Sequence, residues 1–102
     1  MRQARIFIHN IPAGILTEIN RNEYHVEYNP NYTGQPISLT MPIQNKLFHF
    51  NKFPPFFEGL LPEGMMLEAL LRRNKINKDD YFSQLMLTGE DMIGAVTVKE
   101  IT

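Results

Sequence analysis

Three histidines, His9, His25 and His49, are the side chains best suited to ligate a metal or move a proton near neutral pH. None stands four residues from another, the spacing that sets two imidazoles over one metal on a helix face. His9 and His25 fall in strand-patterned segments, so all three are read as surface or edge histidines and no metal site is expected. The acids Glu58, Glu63, Glu68, Glu90 and Asp91 are scattered and read as solvated or capping groups, not as an acid–base pair. The chain has no cysteine, which excludes a thiolate nucleophile, a thiolate-held metal and a disulfide scaffold. It lacks a Gly-x-x-x-x-Gly-Lys phosphate loop, a Gly-x-Ser-x-Gly elbow and the motifs of a kinase core. These absences predict a chain that is not an enzyme by itself and needs no cofactor.

One basic run remains. Arg72-Arg73-Asn74-Lys75-Ile76-Asn77-Lys78 reads first as a solvated connection between helices, and second as a contact for phosphate or an acidic partner. It has no interleaved aromatics on which single-stranded bases could stack. The net charge of −1 supplies no basic field, so no direct nucleic-acid binding is expected of the chain alone. The apolar run Ile6-Phe7-Ile8 behind Arg2 and Arg5 is too short for an export signal. No stretch approaches the roughly 20 apolar residues of a membrane span. The expectation is a cytoplasmic protein with no membrane association.

The elements that would position these groups follow from hydrophobic period. The 102 residues make a single domain, 1–102. Ile6 and Ile8 alternate with Phe7 and His9 in a first strand, and Pro12 and Gly14 mark a turn over 10–14. A second strand covers 15–19. After Asn20-Arg21-Asn22 a third carries Tyr24, Val26 and Tyr28. Short turns between such runs predict an antiparallel meander. Residues 37–41 read as extended, and 42–55 as a loop covering the core with Phe48, Phe50 and Phe53.

The second half changes period. Residues 56–61 suit one helical turn, broken by Pro62. A helix is predicted over 63–73 with Leu67, Leu70 and Leu71 on its apolar side. A second covers 78–88, with Asn77 as N-cap, Phe82, Leu85 and Met86 as the buried stripe and Gly89 as the stop. Residues 93–101 return to strand. The fold class is α+β: a small antiparallel sheet, two main helices in the C-terminal half, and a closing strand that joins or extends the sheet.

Met65 stands out on the first of these helices. At 100° per residue it projects about 160° from Leu67, onto the polar side beside Glu68 and Arg72. Lone exposed apolar residues are ordinary. A methionine beside Pro62 and Gly64 at a helix start also suits a protein-binding surface, because the side chain is flexible.

Three segments, in order, resemble the N-terminal subdomain of HipA-type proteins. They are Pro36-Ile37-Ser38-Leu39-Thr40-Met41-Pro42, Phe56-Phe57-Glu58-Gly59-Leu60-Leu61-Pro62-Glu63-Gly64, and Gly89-Glu90-Asp91-Met92-Ile93-Gly94-Ala95-Val96. The resemblance spans roughly residues 5–100. HipA proteins are serine/threonine kinase toxins of bacterial toxin–antitoxin systems. The chain ends where the subdomain ends, which implies a stand-alone version similar to HipS of three-component HipBST systems.

That resemblance implies an antitoxin: a regulatory subunit that binds a separate HipT-like serine/threonine kinase and inhibits it. It further implies a HipB-like helix-turn-helix DNA-binding protein within a larger complex. The implied partner-binding residues are Pro62, Glu63, Met65 and Met66, with Glu68 and Arg72 alongside. The family often carries Trp after Leu-Leu-Pro-Glu-Gly, thought in HipS-like proteins to reach toward the kinase active site. Met65 stands there in this chain, smaller and without an indole donor. The alternative is a non-inhibitory structural subunit that completes or stabilises the kinase. Phe56, Phe57, Leu60 and Leu61 are expected in the core, and Asp91 and Gly94 at the turn into the last strand.

Overall fold

The computed structural model describes residues 1–90 and 94–101. Five strands, β1 (Arg2–Ile8), β2 (Ile11–Asn20), β3 (Glu23–Tyr28), β4 (Leu47–Phe50) and β5 (Val96–Ile101), form one sheet in the order β4-β3-β2-β1-β5. Every neighbouring pair is antiparallel. Three helices, α1 (Pro55–Glu58), α2 (Gly64–Asn74) and α3 (Tyr81–Thr88), lie between β4 and β5 in the chain. The α+β expectation is met, with the closing strand extending the sheet beside β1.

Period two decides which face is covered. Ala4, Ile6 and Ile8 of β1, Leu16 of β2, Tyr24, Val26 and Tyr28 of β3, and Val98 of β5 are buried on one side. Phe57 of α1 and Phe82 and Leu85 of α3 join the same core. The opposite face carries Gln3, Arg5, Thr17, His25, Glu27, His49 and Lys99.

Several sequence expectations are corrected. The first turn is only His9-Asn10, both at positive φ (50° and 67°), as a two-residue hairpin requires. Pro12 and Gly14 instead lie within β2, where the register slips between Ile6↔Gly14 and Phe7↔Pro12 and buried Ala13 forms the bulge. Gly14 is needed for space, since a Cβ there would meet the Glu27 carbonyl oxygen at 2.4 Å.

Residues 37–41 are not a strand. The Tyr28 hydroxyl accepts from Ile37 N–H at 2.8 Å and donates to the Met41 carbonyl, which bends the segment around one phenol. Ile37 and Met41 are buried, whereas Leu39 between them points to solvent. Within 42–55, read as loop, residues 47–50 form the edge strand β4.

The second main helix starts at Tyr81 rather than 78, and its cap is Asp80, not Asn77. Asp80 accepts from Ser83 N–H at 3.2 Å, while the Asn77 carbonyl ends the preceding turn by accepting from Asp80 N–H at 3.0 Å. Gly89 stops α3 in a right-handed conformation, φ −64°. A Cβ there would lie 2.6 Å from the Val98 carbonyl oxygen, so glycine lets α3 approach β5. The last strand begins at Val96. Asp91 and Ile93, to which sequence reading gave a turn and a strand start, lie outside the described residues. Gly94 has φ +113°, in keeping with its expected place in that turn.

Candidate partner-binding site

α2 begins one residue later than its apolar period predicts and ends one residue later, at Asn74. Glu63 is its N-cap in an extended conformation (φ −128°, ψ 167°), and its carboxylate makes no capping bond. The chain leaves the core at Leu61, crosses half-buried Pro62, and turns into the helix through Gly64 at φ +60°. Lys75 closes the other end in a left-handed conformation, and Ile76 N–H donates to the Leu71 carbonyl at 3.1 Å.

No residue of α2 is buried. Leu67, Leu70 and Leu71, expected as a core stripe, are only half-buried and stand outside the cluster of packed hydrophobics. The backbone of α2 makes few close approaches to the strands and other helices. The contrast with α3 is direct, because α3 buries Phe82, Gln84 and Leu85. An eleven-residue helix is marginal without tertiary packing, and the apolar side of α2 is only partly covered.

Met65 and Met66 are 85% and 75% exposed. Among the described residues they are the only two large exposed hydrophobics adjacent in sequence. Glu63, Glu68 and Arg72 are also exposed. Glu68 and Arg72 lie one turn apart but form no ion pair with each other. Thus the structure gathers Pro62, Glu63, Met65, Met66, Glu68 and Arg72 along one short segment, open to solvent except for Pro62. The cations Arg72, Arg73, Lys75 and Lys78 are exposed as well, as a solvated connection requires. Phe57 and Leu61 are buried, and Phe56 and Leu60 pack partly against the core, as expected.

Sequence reading missed a polar node built on Arg2. Arg2 donates from Nε and Nη2 to both oxygens of Glu18, at 2.6 and 2.9 Å. Nη2 also reaches Asp80 at 3.0 Å and Nη1 reaches the Ser83 hydroxyl at 2.9 Å. The guanidinium lies 4.7 Å from the centre of the Phe82 ring. Glu18 further accepts from the Tyr24 hydroxyl at 2.9 Å. Hydrogen bonding to Glu18 holds the Arg2 charge still more firmly than usual, against the opposing effect of burial. Burial, then the bond to Glu18, pushes the Tyr24 phenol up to about 12. Burial works against the Asp80 carboxylate, but bonds from Ser83 and Arg2 outweigh it and hold the carboxyl below its usual range. Arg2 is thereby a clamp between the sheet and the start of α3.

The histidines lie at the surface or on the edge strand as expected, but two of them meet. His25 and His49 are direct partners on β3 and β4, with ring centres 4.2 Å apart. His25 Nε2 lies 3.2 Å from a Glu23 carboxylate oxygen. Only a cross-strand register could reveal this pairing. His9 stays apart in the β1–β2 turn.

Comparison with known proteins places this architecture. A family model described as the HipA N-terminal domain matches residues 4–99. An uncharacterized protein of Haemophilus influenzae is 36% identical over 100 residues, covering 98% of this chain and 93% of that protein. A solved structure of the N-terminal domain of HipA toxin superposes with a TM-score of 0.79 at 30% identity, covering all of this chain and 94% of that one. Among the described residues no helix is long and apolar enough to cross a membrane. The chain belongs to the HipA N-terminal domain family.

Proposed function

We propose that this chain is a HipS-like regulatory subunit that binds a separate HipA-type serine/threonine kinase through the start of α2 and inhibits it. The observation that carries the reading is the exposure of Met65 and Met66 on a helix with no buried residue. Covering one such side chain is worth about 1.5–3 kcal/mol, so the pair would form a compact apolar anchor. The half-buried Leu67, Leu70 and Leu71 extend the apolar contact beyond the residues named from sequence. Glu63, Glu68 and Arg72 supply a polar rim. The Haemophilus influenzae relative, nearly all of which this chain spans, supports a separately encoded subunit.

Inhibition follows if the methionines sit where the family's tryptophan reaches the kinase active site. A methionine fills less volume and offers no indole N–H, so it would act by occlusion alone. The larger complex would add a HipB-like DNA-binding protein, and the setting would be the cytoplasm. The chain itself would perform no catalysis.

The test is co-expression and co-purification with a HipT-like kinase, followed by a phosphorylation assay with and without this chain. A complex with suppressed phosphorylation supports the reading. A complex with unchanged or raised phosphorylation replaces inhibition with a structural, kinase-completing role. Failure to form a complex refutes both.

A further inference from the structure

We infer that Glu23, His25 and His49 form a surface site for a divalent transition metal, with zinc as the fitting ion. The Tyr28 N–H donates to the Lys46 carbonyl at 2.9 Å, and hydrogen-bonded pairs alternate with non-hydrogen-bonded pairs along an antiparallel ladder. His25↔His49 therefore falls on a non-hydrogen-bonded pair, where side chains of neighbouring strands stand closest. Glu23 is two residues before His25 on β3 and shares its face. The three ligand atoms already lie within 4.8 Å of one another.

Tetrahedral zinc with bonds of about 2.0–2.1 Å sets its ligand atoms roughly 3.3 Å apart. His25 and Glu23 already meet that spacing at 3.2 Å. The three side chains are exposed or half-buried, and their ligand atoms, all within 4.8 Å of one another, are close to the spacing that one ion needs. Two imidazoles and one carboxylate match zinc's ligand preference and leave a fourth position to water. A shallow open groove lined by Asn22, Glu23, His49, Phe50 and Asn51 gives the ion access. Copper(II) would compete for the same donors. Because His25 and His49 belong to different strands, the bound ion would fasten edge strand β4 to the sheet. β4 has no other strand neighbour.

The experiment is calorimetric titration of tag-free full-length protein with Zn²⁺ alone, repeated on His25→Ala, His49→Ala, Glu23→Gln and His9→Ala. Circular dichroism verifies that each variant is folded. The expected result is one Zn²⁺ per chain, with affinity at least about tenfold weaker in His25→Ala and His49→Ala. Glu23→Gln should weaken binding as well. His9→Ala should leave it unchanged, since His9 lies two strands away and six residues, roughly 20 Å, along β1 from Gln3, which is level with His25. The thermal midpoint of the parent should rise with added Zn²⁺. Absence of saturable binding overturns the inference. So does affinity unchanged in either His25→Ala or His49→Ala, or lost equally in His9→Ala. If a histidine variant fails to fold, the imidazole NMR signals of the parent decide. Zinc must shift those of His25 and His49, and shifts confined to His9 refute the site.

Discussion

Arg2 joins residues far apart in the chain through one guanidinium. Its partners are Glu18 on β2, and Asp80 and Ser83 at the start of α3. Its side chain is 38% exposed, so solvent screens part of the attraction. Arg2→Ala should still cost about 1–2 kcal/mol, because it also leaves the half-buried Glu18 carboxylate without its main partner. Urea denaturation checks this, and an unchanged midpoint would remove the clamp from the account. Arg2→Lys should restore only part of the loss, since an ammonium cannot form the two-pronged contact. The clamp was not legible in the sequence, where Arg2 is one cation near a terminus and its partners lie 16, 78 and 81 residues away. The titration of this node has a defined sign. Asp80 is depressed below 3.8, so its stabilisation is present above about pH 4 and is lost as pH falls through the folded value. Tyr24 is raised from 10 to about 12, so its stabilisation is present below pH 10 and is lost as pH rises through about 12. Burial raises Tyr28 and Tyr32 in the same sense. Stability measured against pH should fall at both ends, and Tyr24→Phe should make the alkaline fall shallower.

Among the elements, α2 and α3 differ in what covers them. α3 is fastened by the Asp80 cap, by Phe82 and Leu85 in the core, and by the Val98 N–H bond to the Gly89 carbonyl at 2.9 Å. α2 has only its own hydrogen bonds and a half-buried leucine stripe. Hydrogen exchange should therefore be fast across α2 and slow in β1, β2 and β3. Binding a partner on α2 should slow exchange there and leave the central strands unchanged. Equal protection of α2 and α3 in the free chain would contradict this. The helices and the first three strands were legible because their apolar residues keep a period over many residues. The stretch 37–41 was not, because its alternation arises from a loop wrapped around the Tyr28 hydroxyl. β4 is only four residues long and follows a polar loop, so its alternation was too brief to separate from a loop rich in phenylalanine. The exposure of Met65 was legible from helical geometry. The incomplete burial of Leu67, Leu70 and Leu71 was not, because an apolar stripe announces burial without saying how complete it is.

At the scale of the molecule, one sheet face is packed by α1, α3 and the loops, whereas α2 buries no residue fully and carries exposed Met65 and Met66 at its start. Membership of the HipA N-terminal domain family suggests a HipA-type kinase as the partner, and the exposed start of α2 is the surface proposed to meet it. If α2 is the docking element, a charge at Met65 should disrupt the complex without disturbing the fold. The most direct measurement is the affinity of the chain and of Met65→Asp for a HipT-like serine/threonine kinase, with thermal unfolding run in parallel. If docking runs through α2, Met65→Asp leaves the unfolding midpoint unchanged and weakens affinity about 30-fold or more, the equivalent of about 2 kcal/mol for forcing a carboxylate into an apolar contact. Undiminished affinity with Met65→Asp would contradict the placement of the interface on the start of α2.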